Sequence, residues 1–490
     1  MVTHLWFVGL VVLSGCPPAP GKGVDSPDPD SGAVDSSGDT ASADTGYVTM
    51  DTGGPWRPPD TGWVTGTDEE CRQRPAGPYD KASFAPSRDC AGCHPNHFAE
   101  WRTSSHAYAV TDPVFWAGNE LSYESNGIEN FCINCHAPIA DLTNPDPTVH
   151  VSSKEGLIGP ARSGISCASC HRTYEVTVNK NLSRCSNHYF GPIADPDRAS
   201  APHGVSYAPD YARSNFCQPC HDVNAVNERG QMVQVEATNT EWAAANARAG
   251  GTNEAPAIQT CQDCHMPAYR GTAAVGGIER DVHRHTFFGV DIALVPFPGI
   301  EKQRVGAEAL LRNAARLDLD VVGDQIRLDV TNLIEGHNLP TGSAHARRAW
   351  IHTRVVDAAG DVVFESGDLD ANGDLRGSDS TLDPWGDPWM SGDQALFIEH
   401  VYDAEGRELL AEYGRAHRVE HDTLAAGETR RIVYPLPRGT ALRYPLDVTA
   451  TFRFRPASNM MLRAFALDEE LIARVPTFTV AEARTQIDGP

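Results

Sequence analysis

The chain is short of positive charge. Forty Lys and Arg stand against 65 Asp and Glu, a formal net charge of −25, and this excludes the basic footprint by which proteins hold nucleic acid. It also lacks a long internal apolar run, so nothing after the first twenty residues has the roughly 20 apolar residues that a spanning helix needs. The amino-terminal "MVTH" has no Lys or Arg ahead of its apolar stretch, although export signals ordinarily carry one. Between residues 17 and 70 aliphatic side chains are almost missing: "DSPDPDSGAVDSSGDTASADTGYVTMDTGG" cannot bury enough surface to offset the entropy of ordering. That stretch is expected to be a disordered acidic linker, a coil spanning about 40 Å. At 490 residues there remains room for two or three domains.

What the amino terminus does have is "LWFVGLVVLSGC", a short apolar run closed by Leu13-Ser14-Gly15-Cys16. This ending resembles the lipobox of bacterial lipoproteins. The resemblance implies a signal peptide over 1–16, export, and attachment to a membrane through lipid on Cys16. Pro17 is not the Asp that retains enteric lipoproteins at the inner membrane. The expected location is therefore periplasm-facing or on the surface of the outer membrane.

Ten of the thirteen cysteines fall in five identical frames: "CAGCH" at 90–94, "CINCH" at 132–136, "CASCH" at 167–171, "CQPCH" at 217–221 and "CQDCH" at 261–265. Disulfides do not require a histidine after the second cysteine, and structural zinc would use two CxxC pairs or a C2H2 spacing. CxxCH is the attachment frame of c-type haem: two sulfurs add to the two vinyl groups, and the next residue lies under the iron. The cofactor-binding residues are thus Cys90, Cys93, His94, Cys132, Cys135, His136, Cys167, Cys170, His171, Cys217, Cys220, His221, Cys261, Cys264 and His265, with the five histidines as proximal iron ligands. Five haems on roughly 210 residues leave too little chain for an ordinary core, so the porphyrins would supply it, wrapped by short helices and loops. Helical patterns appear at 94–109 and 239–250.

Each iron has a second face, filled by His or Met in electron-transfer haems and open in catalytic ones. The stretch "CAGCHPNHFAEWRTSSHA" from Cys90, with Trp101, Ser104, His106 and Ala107, resembles the multihaem cytochromes related to the tetrahaem cytochrome c that accepts electrons from hydroxylamine oxidoreductase. Their second pattern, CHMP followed by H-x-F-x-G, is matched by Cys264-His265-Met266-Pro267 and by His285, Phe287 and Gly289. The resemblance covers about 90–290 and implies distal ligation by His106 and by His285, with His283 as the rival of the latter. Five motifs rather than four are a departure. By position alone, His203 and His150 are further candidates, with His188 competing with His203. His97, three residues past His94, would serve another haem or cap a propionate, and Met232 is an outside candidate. "GHNLPTG" (336–342) resembles a segment of multihaem cytochromes with a β-rich carboxy-terminal domain, which makes His337 a candidate that clamps the two domains together; the alternative is a turn stabilised by Asn and Thr.

From about 300 the pattern changes. "EKQRVGAEALLRNAARLDLDVV" predicts a helix leading into a strand, and "QIRLDVTNL", "AWIHTRVVDA", "DVVFESG", "FIEHVYDA", "TRRIVYPL" and "DVTATFRFRP" alternate as strands. A last helix is expected over "NMMLRAFALDEELI". The expected fold class is α+β: a haem-packed, mostly helical and irregular multihaem cytochrome domain at 71–300, then an antiparallel β-sandwich domain at 301–490. Asp368, Asp370, Asn372 and Asp374, with Asp379, have the spacing of a calcium loop, though an acidic Gly-rich surface turn explains them too. Cys71 and Cys185 are left over, and spacing does not say whether they pair. The function expected is that of a lipid-anchored pentahaem carrier passing electrons between redox partner proteins. The alternative is a multihaem oxidoreductase whose one open-face haem acts on a small nitrogen or sulfur species.

Overall fold

The computed structural model describes residues 67–490, except 73–77, 127–129, 145, 147–148, 177–179, 183–184, 186–187, 197, 199–200, 379–394, 438–441 and 490. The proposed signal peptide with Cys16, the linker up to residue 66 and Asp379 lie outside the described residues.

Up to residue 299 the chain consists of short helices and two-stranded ladders. The helical pattern at 94–109 resolves into two helices, Pro95–Trp101 and Ser105–Tyr108. Ser104 ends the first and caps the second, its hydroxyl accepting from the Ala107 N–H. A 14-residue helix, Pro113–Asn126, was not read from the sequence, because its apolar positions are scattered over its surface rather than gathered on one face. Nor were the ladders, which the expectation of loops passed over. Asp222–Val226 pairs antiparallel with Met232–Ala237, Ala268–Thr272 with Glu279–His283, and His188–Gly191 runs parallel to Gly204–Tyr207. Cys71 and Cys185, both buried, form a disulfide across 114 residues of sequence.

After the helix Ile300–Leu311 the chain builds two antiparallel sheets. In the smaller, Gln325–Asn332 lies between Ala315–Val322 and Thr429–Pro435, with Leu328 facing Leu319 on one side and Ile432 on the other. The larger is centred on Arg348–Val356 and Leu446–Arg455 and has Phe478–Ile487 at one edge. Strict alternation in "QIRLDV" sends Ile326, Leu328 and Val330 inward. They meet Ile351, Val355, Phe452 and Phe454 of the facing sheet in one apolar core. Each such side chain, fully buried, contributes roughly 1.5–3 kcal/mol. The edge strand Phe478–Ile487 was missed by the sequence reading, and the expected last helix is two, Asn459–Ala464 and Glu469–Ile472, broken where Ala466 takes a φ of 57°.

The two regions meet through specific polar contacts. Glu241, in the helix Thr238–Arg248, accepts from the Asn338 N–H at 3.0 Å and from Thr341 Oγ1 at 2.6 Å. Gly336 lies against Trp242, where an added Cβ would come within 3.0 Å of the indole. Buried Gln303 donates to the Thr103 carbonyl at 3.0 Å.

The disulfide closes a long loop, and constraint of the unfolded chain is its main contribution. Replacing both Cys71 and Cys185 by Ser should lower unfolding stability by roughly 2–4 kcal/mol and leave the visible absorption spectrum unchanged, as measured by denaturant titration and spectroscopy on the same samples.

Candidate haem sites

Each CxxCH frame sits on about one turn of helix: Ser87–Cys90 leads into the first, and Phe131–His136, Cys167–His171, Gln218–His221 and Cys261–His265 carry the others. Residues three apart share a helix face, so both sulfurs of a pair point the same way. Two of these turns are closed by their own variable residue. Ser166 and Ser169 cap each other reciprocally, as do Thr260 and Asp263. The third residue of "CASC" and of "CQDC" thus holds its turn in shape.

The imidazoles are aimed by the main chain. Nδ1 of His94 lies 2.6 Å from the Ala273 carbonyl, that of His171 2.9 Å from Phe190, and that of His265 2.7 Å from Phe288. A carbonyl can only accept, so Nδ1 carries the hydrogen and Nε2 keeps its lone pair for a metal. The same bond recurs at His203 (Gly204 carbonyl, 3.1 Å), His285 (His283 carbonyl, 2.9 Å) and His337 (Asn338 carbonyl, 2.8 Å). Burial pushes the imidazoles of His171, His203, His265 and His337 down from their ordinary range, and that of His285 to about 3, so these rings are neutral at pH 7.

Metal–nitrogen bonds of about 2.0 Å, plus about 1.1 Å from nitrogen to ring centre, would place two imidazoles on opposite sides of one metal roughly 6.2 Å apart. Four pairs stand at that separation: His94 and His203 at 6.4 Å, His106 and His221 at 6.5 Å, His171 and His285 at 6.2 Å, and His265 and His337 at 6.5 Å. His97 also lies 6.4 Å from His94, but one helical turn away on the same side, and its ring meets the edge of His285 at 4.5 Å. All four pairs have the spacing that an iron between the rings requires, and in three of them, His94 with His203, His171 with His285 and His265 with His337, both Nδ1 atoms are bonded to a carbonyl as well.

His136 is different. Among the described residues no histidine ring stands at that distance from it; Phe115 lies flat against its face, 4.2 Å away and tilted by 8°. Its buried Nδ1 faces the Ala109 carbonyl without a hydrogen bond of good geometry. The expected partner, His150, is engaged elsewhere. Its Nε2, the atom a haem would need, lies 3.1 Å from Glu120, and its ring stacks on Tyr123 at 3.8 Å. The expectation that His150 closes a fifth site is therefore corrected. Of the other rivals, His188 gives Nε2 to Ser206 at 2.7 Å, His283 gives Nδ1 to the Met266 carbonyl at 2.6 Å, and Met232 is exposed.

The frames are arranged in a chain of neighbours. The Cys90 and Cys167 thiols are in hydrogen-bond contact, and so are those of Cys217 and Cys261. Phe287 touches both His106 at 4.3 Å and His285 at 5.6 Å, joining the two halves. Cys135 Sγ lies 3.8 Å from the Pro219 carbonyl, which puts the frame of His136 beside that of His221.

The loop after Gly367 does not gather its carboxylates around a common centre. Asp368 pairs with Arg376 at 3.0 Å, and Asp370 accepts from the N–H groups of Asn372 and Asp374. The fully buried Asp374 takes Arg463 at 2.6 Å and Asn459 at 2.7 Å. Among the described residues no group of three or more His, Cys, Asp or Glu converges as a metal cage. Guanidinium groups stand where the calcium reading of Asp368, Asp370, Asn372 and Asp374 required a cation.

Residues 89–172 match the family model described as cytochrome c554 and c-prime. That match spans the first three CxxCH frames. The fold of the chain is shared with a solved structure described as a penta-heme cytochrome c552 from Thermochromatium tepidum, at 20% identity and a TM-score of 0.55, over 83% of this chain and 99% of that one. No curated protein matches this chain in sequence.

Truncating one ring of a pair should expose one iron. His203→Ala and His337→Ala should each convert one low-spin haem to high-spin in the oxidised electronic and paramagnetic resonance spectra. His150→Ala should leave every haem as it was.

Proposed function

We propose that this chain is a multihaem c-type cytochrome carrying five covalently attached haems, four of them between paired histidines and one on His136 with its opposite face open, and that its main work is to pass single electrons. The observation that carries the proposal is the set of four histidine pairs at 6.2–6.5 Å. The iron of each haem, when bound, supplies a one-electron couple. Everything else is the protein's part. Paired imidazoles would close both faces of a haem held between them, so those sites would exclude substrate and change little on reduction. The Nδ1–carbonyl bonds hold the rings still, and the apposed frames of Cys90 with Cys167 and of Cys217 with Cys261 set haem next to haem. The penta-heme description of the structurally similar protein supports the count. The donor and acceptor are redox proteins, and attachment through lipid on Cys16 would keep the haem region near a membrane at the outer face of the cell.

His136 favours a second role beside the first. An iron without a second histidine takes up small ligands, and the nitrogen and sulfur species reduced or oxidised by electrons (hydroxylamine, nitrite, sulfite) are the class to test. Pyridine haemochrome and mass should give five haems per chain. Carbon monoxide added to the reduced protein should bind promptly at about one site per chain. No prompt binding would show that His136 has a partner after all, and binding at several sites would break the four pairs.

The anchor has its own check. Cys16→Ala should move the protein from the membrane fraction to the soluble fraction with an unchanged haem spectrum; unchanged fractionation would remove the lipid.

A further inference from the structure

The frame of His136 packs against the β region. Phe131, the residue before Cys132, packs in an apolar cluster with Val223 and Val233 of the haem region and with Tyr413 and Val419 of the β region. The strand Met232–Ala237 that carries Val233 also carries Glu236, whose carboxyl accepts from Ser343 Oγ across the junction. Tyr413 stands beside it, its hydroxyl 3.0 Å from Nε2 of the buried His345. Arg347, its side chain 13% exposed, is already matched by Asp291 at 3.0 Å. The charged and titratable groups that face Glu236 are thus Arg347 and Asp291, Glu399 with its partner His421, Tyr413, and Cys132 itself, whose thiol feels the Glu236 charge. Arg347 is shared with Asp291, and the net surroundings of Glu236 are poor in cations. Glu236 is therefore an acid held at the junction, hydrogen-bonded by a neutral hydroxyl, within electrostatic reach of the one haem frame that lacks a paired histidine.

We infer that Glu236 is the group that takes up a proton when an electron arrives at the haem held by Cys132, Cys135 and His136. The inference rests on the haem assignment made above, though it does not require that haem to be open. The balance is one electron from a neighbouring haem onto the iron, and one proton from solvent onto a Glu236 carboxylate oxygen. No bond other than O–H forms, and the local charge is unchanged. The physical reason is Coulombic: an added negative charge in a poorly hydrated place favours the neutral form of a nearby carboxyl. Burial already pushes Glu236 up to about 7, against the opposing pull of Ser343 and Arg347. Below that pH Glu236 is protonated in both redox states and the potential is flat. Above it, reduction recruits a proton, and each tenfold fall in proton activity should lower the haem's potential by about 59 mV. Glu236 and Tyr413 come from stretches separated by some 180 residues, and nothing in either stretch marks them in the sequence.

The test is redox-difference infrared spectroscopy on the holoprotein, combined with spectroelectrochemical titration between pH 5.5 and 9. Reduction at pH 8 should raise a protonated carboxylic C=O band that titrates with the midpoint of one haem. Glu236→Gln should abolish that band and the pH slope together. Ser343→Ala removes a bond that stabilises the ionised form, so it should keep the band and move the onset of the slope to higher pH. A band and slope that persist in Glu236→Gln would overturn the inference, as would an onset unmoved in Ser343→Ala. Carbon monoxide uptake by the same samples reports separately whether the His136 site is open, so the two conclusions fail independently.

Discussion

A neutral imidazole has one nitrogen that donates and one that accepts, and only the second can hold iron. In this protein six main-chain carbonyls make that choice, at His94, His171, His203, His265, His285 and His337. Each ring is aimed before any metal arrives, so that a haem meets a site already shaped for it. The rest of the fold follows from the need to bring such carbonyls to such rings. The Ala273 carbonyl belongs to the turn after Ala268–Thr272, and the Phe190 carbonyl to a strand of a two-stranded ladder. The small ladders between the haem frames are the scaffolding of this arrangement.

The pattern of apposed frames also has a direction. Contacts run from the frame of His94 to that of His171, through Phe287 to that of His221, and from there to those of His265 and His136. The path forks at His221. One arm ends on a ring supplied by the β region, and the other at His136, which has no histidine ring opposite it among the described residues. In the proposed function, a junction of that kind would let one inlet serve a closed site and an open one.

Much of this was legible in the sequence, and for stated reasons. CxxCH is a covalent requirement, so its residues are fixed by chemistry. His106 and His285 stood in patterns shared with known multihaem cytochromes, and both now lie opposite a proximal ring. His203 and His337 sit in Gly- and Pro-framed loops, where a ring is free to swing toward a neighbour, and both do. His150 sits in a similar loop, but Glu120 stands 3.1 Å away, and a partner 30 residues distant is invisible to a reading of neighbours. The alternating strands of the sandwich were read correctly where polar and apolar residues alternate cleanly, as in "QIRLDV". Phe478–Ile487 carries its apolar residues mostly at its start, and its remainder looks like surface. The calcium spacing at 368–374 was present, but Arg376 and Arg463 take two of its carboxylates, one of them from 89 residues away.

The disulfide between Cys71 and Cys185 sets an order of events. Its loop encloses the frames at 90–94, 132–136 and 167–171. With export as proposed, the new chain would present twelve thiols beyond Cys16, and oxidation at that stage would scramble them. Haem attachment to all five frames, as proposed, would consume ten as thioethers, which do not exchange. Cys71 and Cys185 are then the last thiols left, each with a single partner. Maturation that attaches haem first and oxidises second needs no isomerase to find the right pair, whereas the reverse order has to undo its errors before it can proceed.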